Sequence, residues 1–183
     1  MREDLFLSGL GGQGVLLMGQ LLLEAAVKAG LQGAGMPAYM PEVRGGETTF
    51  TLVVSDGPTG SFVVGRPHNL VLMDAHSVQS YLPRAAEGAL ALINTSLAPS
   101  WEAPPGITVV GIAATDLARD AGGERAANMV MVGALLALRP IFTLEHFIGV
   151  MTQGLSERAQ VYAEVNTRAL HVGWEAARGR ATG

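Results

Sequence analysis

Leu5-Phe6-Leu7-Ser8-Gly9-Leu10-Gly11-Gly12-Gln13-Gly14-Val15 is the stretch on which the fold turns. Leu5–Ser8 reads as a short buried strand. Gly9–Gly14 satisfies G-x-G-x-x-G, and a helical run follows from about Gly12 to Ala29, with Gly30 placed as its stop. Strand, tight glycine turn and helix in that order open a β-α-β unit. Glycine permits positive φ at such a turn and lets a phosphate approach the backbone, while the free N–H groups and dipole of the following helix favour an anion. Two nucleotide readings are weakened by what comes next. A P-loop needs Lys and Ser/Thr after the last glycine, and this chain has Val15 and Leu16. A dinucleotide site needs an acid about 20 residues further on, but the second strand, near Ala34–Met36, runs into Pro37-Ala38-Tyr39. Three roles stay open for the turn: close strand–helix packing alone, an anionic ligand, or a neighbouring protein's backbone.

Outward from the turn, Pro37–Glu47 is a loop rich in Pro and Gly, and Thr48–Ser55 is a strand that can form an antiparallel hairpin with Ser61–Val64. Leu70–Asp74, Ala89–Asn94 and Ile107–Ile112 are apolar strands. Val78–Ala86 is helical, Leu97–Gly106 is loop, and Thr115 or Asp116 is positioned to cap a short helix. The last third is helical. Ala126–Leu138 ends before Pro140, Thr143 caps Leu144–Gln153, and Ser156 caps a final helix with an apolar stripe of Val161, Tyr162, Val165, Ala169, Val172 and Ala176. Short apolar strands alternating with helices predict an α/β fold, a mainly parallel Rossmann-like sheet with helices on both faces. Residues 1–177 form one domain and 178–183 a flexible tail.

In such sheets sites form beyond the carboxyl ends of the strands, here Ser8-Gly9, Asp74-Ala75-His76, Asn94-Thr95-Ser96 and Thr115-Asp116. Asp74 reads as a helix-start acceptor and His76 as a structural hydrogen-bonder. His68, His146 and His171 lack metal-ligand spacing. Arg44, followed by Gly45 and Gly46, can present a guanidinium for two-point recognition of carboxylate or phosphate. Equally, it can form a surface ion pair with Glu42 or Glu47.

Composition narrows the function. Of 183 residues 49% are apolar and 15% charged, against a usual charged share of about 25%. A net charge of −4 argues against nucleic-acid binding. There is no cysteine, which excludes disulfides, a thiol nucleophile and cysteine-held clusters within this chain. The apolar runs Val15–Leu23 and Met129–Leu138 are shorter than the roughly 20 residues a bilayer takes, and the acidic start is a poor leader, so a cytoplasmic protein is expected. Val15–Leu23 and Ala126–Leu138 are apolar nearly all round, which means either deep burial or a covered interface; burial within this domain suffices for one, and for both together a surface covered by partners or by a second copy is expected.

Ser8–Val15, Pro41-Glu42-Val43-Arg44-Gly45-Gly46 and Asn128-Met129-Val130-Met131-Val132-Gly133-Ala134 together resemble the gamma subunit of 2-oxoacid:ferredoxin oxidoreductases, over Asp4 to about Ala177. The resemblance implies an accessory subunit with no catalytic residue and no metal of its own. Its partners would be alpha and beta subunits, with a delta ferredoxin-like subunit and ferredoxin reached through the complex. Thiamine diphosphate and 4Fe-4S clusters would lie in those partners. Coenzyme A would contact this chain, and the ligand- or partner-binding residues would be Gly9, Gly11, Gly12, Gln13, Gly14, Arg44, Gly45 and Gly46. The competing reading is a stand-alone Rossmann-like nucleotide-dependent oxidoreductase.

Overall fold

The computed structural model describes residues 1–40, 46–58, 64–153 and 157–180. Its centre is a six-stranded sheet in the order β2-β3-β1-β4-β5-β6, with β1 Arg2–Leu10, β2 Gln32–Met40, β3 Glu47–Ser55, β4 Asn69–Leu72, β5 Leu90–Asn94 and β6 Thr108–Ile112. The pairs β1–β4, β4–β5 and β5–β6 are parallel, and β3 runs antiparallel to both β1 and β2. Five strands therefore share one direction and β3 alone opposes it.

The first strand is longer than its apolar stretch because β3 pairs with all of it, from Arg2 opposite Ser55 to Leu10 opposite Glu47. The same pairing overturns two expectations. Pro37–Met40 is not loop: β2 extends over Gln32–Met40 and pairs β3 from Gln32–Ser55 to Met40–Glu47. The antiparallel partners of β3 are β1 and β2. Of the expected hairpin strand, Ser61–Val63 lie outside the described residues and Val64 is not in a strand. A Gly- and Pro-containing sequence becomes a strand here because small residues are what the helix above it needs. A Cβ on Gly33 would lie 2.6 Å from Leu23, and one on Gly35 would lie 2.7 Å from the Phe50 ring.

Helix α1 (Val15–Lys28) covers β2, β3 and β1, burying Val15, Met18, Leu22, Ala25 and Ala26. Helices α3 (Ala114–Asp120), α4 (Ala127–Leu138), α5 (Leu144–Thr152) and α6 (Glu157–Arg178) contribute to the same core as α1, together with Leu5, Leu7, Phe50, Leu52, Leu92 and Ile112. Helix α2 (Ala75–Tyr81) and the 3₁₀ turn Leu82–Arg84 form a second core on the opposite face with Leu70, Leu72, Ala91 and Ile93. Thr143 caps α5 by accepting from the His146 N–H at 3.1 Å, as its sequence predicts.

Ala126–Leu138 does not face a partner. Every residue of α4 from Ala127 to Leu136 is buried inside this domain, because α3, α5, α6 and the sheet surround it. Its contact with α6 depends on glycine. A Cβ on Gly133 would overlap the Leu170 carbonyl, and one on Gly173 would overlap the Val130 carbonyl. That crossing also resets the buried stripe of α6. Ala163, Ala169, Leu170 and Ala177 are buried, whereas Val161 and Tyr162 are exposed. Backbone approach selects small residues for the buried face, so hydropathy alone misplaces it. Ser156, expected to cap this helix, lies outside the described residues. After α6 ends at Arg178, the Arg180 guanidinium donates to the Gly111 carbonyl.

Candidate functional site at the carboxyl ends of the strands

The chain leaving β1 enters a helix on one face of the sheet, and the chain leaving β4 enters one on the other. The crevice between the ends of β1 and β4 is thus the switch point where open α/β sheets take ligands. The Ser8 carbonyl accepts from the Met73 N–H at 2.9 Å across it.

Gly12 (φ 90°) and Gly14 (φ 75°) give the turn its two left-handed residues, and Gly14 starts α1 without a side-chain cap. Gln13 ties the turn from both sides: its Oε1 accepts from Leu10 N–H at 2.7 Å, and its own N–H donates to the Leu10 carbonyl at 3.1 Å. The glycines divide by role. A Cβ on Gly9 would meet Gln13, Met73 and Val15 within 2.9 Å, and one on Gly14 would overlap the Asn128 amide, so these two serve close packing. The Asn128 Nδ2 donates to the Gly14 carbonyl at 3.3 Å. Gly12 faces open space. Among the described residues the N–H groups of Gly12 and Gly14 have no acceptor, whereas that of Gly11 donates to the Gly46 carbonyl at 2.8 Å. The turn therefore presents spare donors at the positive end of α1. Arg44 and Gly45 lie outside the described residues, and Gly46 is the point where their segment joins the turn.

Beside the turn is a cavity of about 390 Å³ lined by Gly12, Gln13, Met73, Asn94, Thr115 and Arg125. Asn94 is fully buried and organises its floor. Its Oδ1 accepts from Ala114 N–H at 3.0 Å and from Thr115 N–H at 3.4 Å, and its Nδ2 donates to the Met73 carbonyl and Thr115 Oγ1. Ser96 Oγ accepts from Asp116 N–H at 3.2 Å. Helix α3 is thus capped from the end of β5, not by Thr115 or Asp116, which lie inside its first turn. The Ser96 hydroxyl, followed by Arg119, holds the Asp116 carboxyl below its usual range. Arg119 also pairs with Glu124 at 3.5 Å, so the neighbouring Arg125 keeps its charge free of a carboxylate among the described residues. Arg125 carries no motif in the sequence. Its position at the cavity follows only from the packing of the 3₁₀ turn Glu124–Ala126 against α3 and α4.

On the other side of the crevice, Glu47 is 4% exposed, not a partner on a surface loop. Ser8 Oγ lies 3.4 Å from its Oε1 and 2.9 Å from Ser77 Oγ. Ser77 Oγ donates to Asp74, and Asp74 caps α2 by accepting from the Ser77 N–H at 3.0 Å. The predicted role of Asp74 therefore holds. His76 Nε2 approaches Glu47 Oε2 at 3.8 Å. Burial, then the hydrogen bond and charge of Glu47, push the Tyr81 phenol up to about 12, against a smaller opposing effect of Arg84. The missed signal was the alternation of β3, which places Glu47 on the same side as Thr49 and Thr51 and under α2.

Two other histidines, His68 and His146, are held in structural contacts, and His171 is exposed on α6. His68 Nδ1 lies 2.8 Å from Asp4 at the far end of the sheet, and His146 Nε2 lies 2.8 Å from the Ala25 carbonyl. Among the described residues no group of three or more His, Asp or Glu is arranged to hold a metal ion, and no helix is long and apolar enough to cross a membrane.

The family model for pyruvate ferredoxin/flavodoxin oxidoreductase matches residues 4–176, nearly the whole chain. The chain belongs to this family. The ketoisovalerate oxidoreductase subunit VorA of Methanothermobacter marburgensis is 36% identical over 132 residues, 72% of this chain and 27% of that one, so the chain spans about a quarter of this relative. The 2-oxoglutarate synthase subunit KorC of Methanocaldococcus jannaschii is 30% identical over 97% of this chain and 95% of its own length. The gamma subunit of a keto/oxoacid ferredoxin oxidoreductase from Geobacter sulfurreducens superposes with a TM-score of 0.83 at 28% identity, covering 98% of each chain. The 2-oxoglutarate:ferredoxin oxidoreductase of Magnetococcus marinus, solved with 2-oxoglutarate, coenzyme A and succinyl-CoA, gives a TM-score of 0.86 at 18% identity over 97% of this chain and 31% of its own. At that identity the likeness is one of fold.

Proposed function

We propose that this chain is the gamma-type accessory subunit of a 2-oxoacid:ferredoxin oxidoreductase. The overall reaction joins a 2-oxoacid and coenzyme A, releases carbon dioxide, and passes two electrons to ferredoxin, leaving acyl-CoA and one proton. The observation that carries the reading is the match along nearly the full length of a KorC subunit. The chemistry of this chain fits an accessory role. With no cysteine it has no thiolate to hold an iron–sulfur cluster, so clusters, like thiamine diphosphate, belong to alpha, beta or delta partner subunits in the cytoplasm.

The chain's own contribution is recognition of an anion. The spare N–H of Gly12 at the positive end of α1 and the Arg125 guanidinium border one cavity, whose wall also includes the Glu124 carboxylate that pairs with Arg119. A phosphate of coenzyme A suits that set, with Arg44 as a second cation. Among the described residues no acid lies on β2 or at its end to take a ribose, which disfavours the stand-alone nucleotide enzyme. The test is kinetic. In an intact complex, Arg125→Ala and Arg44→Ala should each raise KM for coenzyme A about tenfold, with kcat changed little. Unchanged kinetics would remove the residue from the site. A chain that co-purifies with no thiamine-bearing subunit would remove the function itself.

A further inference from the structure

The amino ends of the strands, at the opposite pole from the glycine turn, border a second and more polar cavity of about 410 Å³, large enough for a small metabolite. Arg2, Glu3, Asp4, His68, Asn69 and Arg139 contribute to its wall. Asn69 is 2% exposed and organises it. Its Nδ2 donates to Glu3 Oε2 and to the Asp4 carbonyl, both at 2.9 Å, and its Oδ1 accepts from Arg139 Nε at 3.1 Å. One buried amide thus grips a carboxylate with one end and a guanidinium with the other. The three side chains share a side of the sheet. Strand alternation puts Glu3 with Leu5 and Asn69 with Val71, on the face that α4 covers, and Arg139 follows α4 directly.

The two opposite charges do not neutralise each other. Among the described residues neither Glu3 nor Arg139 makes an ion pair, and the contacts of both groups end at the Asn69 amide. Both residues are half-buried, where an unpaired charge is poorly hydrated. Asp4, by contrast, is spent on His68: its Oδ1 accepts from the backbone N–H at 2.7 Å and its Oδ2 lies 2.8 Å from Nδ1. Glu3 Oε1 and the two terminal nitrogens of Arg139 are left for a ligand. Spacing selects its chemistry. The oxygen and nitrogen of an amide are about 2.3 Å apart, so the bonded Glu3 oxygen and Arg139 Nε are held within about 8 Å of each other. A ligand that answers both needs an anion and a cation about 3 Å apart, each reached by a hydrogen bond of about 2.8 Å. The carboxylate and ammonium of an α-amino acid, joined through one carbon, meet that requirement. A 2-oxoacid does not, because it sets an oxo oxygen against Glu3 in place of the ammonium.

We propose that Glu3, Asn69 and Arg139 form a binding site for a free α-amino acid, in which Arg139 takes the carboxylate, Glu3 takes the ammonium and Asn69 fixes both. The test titrates the full isotope-labelled chain with L-alanine and follows the Asn69 side-chain amide and the Arg139 Nε–H by NMR. Both signals should shift and saturate. Pyruvate, which lacks the ammonium, and ethylammonium, which lacks the carboxylate, should each bind at least tenfold more weakly. Arg139→Gln and Glu3→Gln should each weaken alanine binding at least tenfold while keeping the unfolding midpoint, and Arg178→Gln, at the end of α6, should leave it unchanged. Should either site variant lose its fold, the wild-type preference for alanine over pyruvate and ethylammonium decides alone. Signals that alanine does not move, pyruvate bound as tightly as alanine, or full binding by a folded Arg139→Gln or Glu3→Gln chain would overturn the site.

Discussion

Glu47 and Tyr81 show how a single buried carboxylate organises one wall of the crevice. Glu47 sits among Ser8, His76 and Tyr81, and among the described residues no lysine or arginine pairs with it. Its charge helps hold the Tyr81 proton, so the phenol titrates near 12 and not near 10. The sign of the linkage is fixed by that upward shift. Tyr81 contributes stability that is complete below pH 10 and is lost as pH rises through about 12, since the unfolded phenol gives up its proton first. Stability should therefore fall less steeply between pH 10 and 12 in Tyr81→Phe, and ultraviolet titration of Glu47→Gln should show a lower Tyr81 pKa. A phenol unchanged in Glu47→Gln would assign the shift to burial alone. The glycine turn carries the second residue-scale prediction. Gly12→Ala meets no atom but adopts φ 90°, at about 1–2 kcal/mol. Gly14→Ala adds a clash with Asn128, so it should cost more, and Asn128→Ala should relieve part of the excess. Urea midpoints of the three single variants and the Gly14/Asn128 double variant decide the matter.

Among elements, α4 and α6 meet through backbone, not through side chains. Overpacking commonly costs about 1–3 kcal/mol when side chains can move aside, but the Leu170 and Val130 carbonyls facing Gly133 and Gly173 cannot. Gly133→Ala should therefore lose about 3 kcal/mol or fail to fold. Gly149 of α5 has open space where a Cβ would go, and Gly149→Ala should gain about 0.5–1 kcal/mol from helix propensity alone. Equal losses at both positions, read by thermal unfolding, would deny that the α4–α6 crossing is the special one. The sequence makes some of this visible. Strand β1, the turn, α1, the Asp74 and Thr143 caps and the apolar α4 are all local patterns. What stays hidden needs a partner to exist. Strand β2 becomes a strand only against β3, the α3 cap comes from Asn94 twenty residues upstream of Ala114, and Arg125 reaches the cavity through helix packing. The apolar α4 is the instructive case, because all-round hydropathy marks burial equally well inside one domain or between two.

At the scale of the whole molecule, five parallel strands bring spare amide donors, Arg125 and the Asn94-capped helix α3 to one rim. The thiolates that would hold an electron-carrying iron–sulfur cluster are absent from the sequence. Such a division of labour makes a prediction about the assembled enzyme that no single residue can make. On the proposed function, decarboxylation falls to thiamine diphosphate in partner subunits and needs neither coenzyme A nor this chain's cavity, so 2-oxoacid-dependent carbon dioxide release by those subunits should survive omission of this chain. Ferredoxin reduction that depends on coenzyme A should fall at least tenfold and return when the purified chain is added back. Adding back the Arg125→Ala chain should restore assembly but only part of the rate at low coenzyme A, and the full rate at saturation, because a weakened anion contact raises KM without altering the chemistry on the partner. Full recovery with Arg125→Ala at every coenzyme A concentration would mean that this rim binds no coenzyme phosphate and that the chain acts only by holding its partners together.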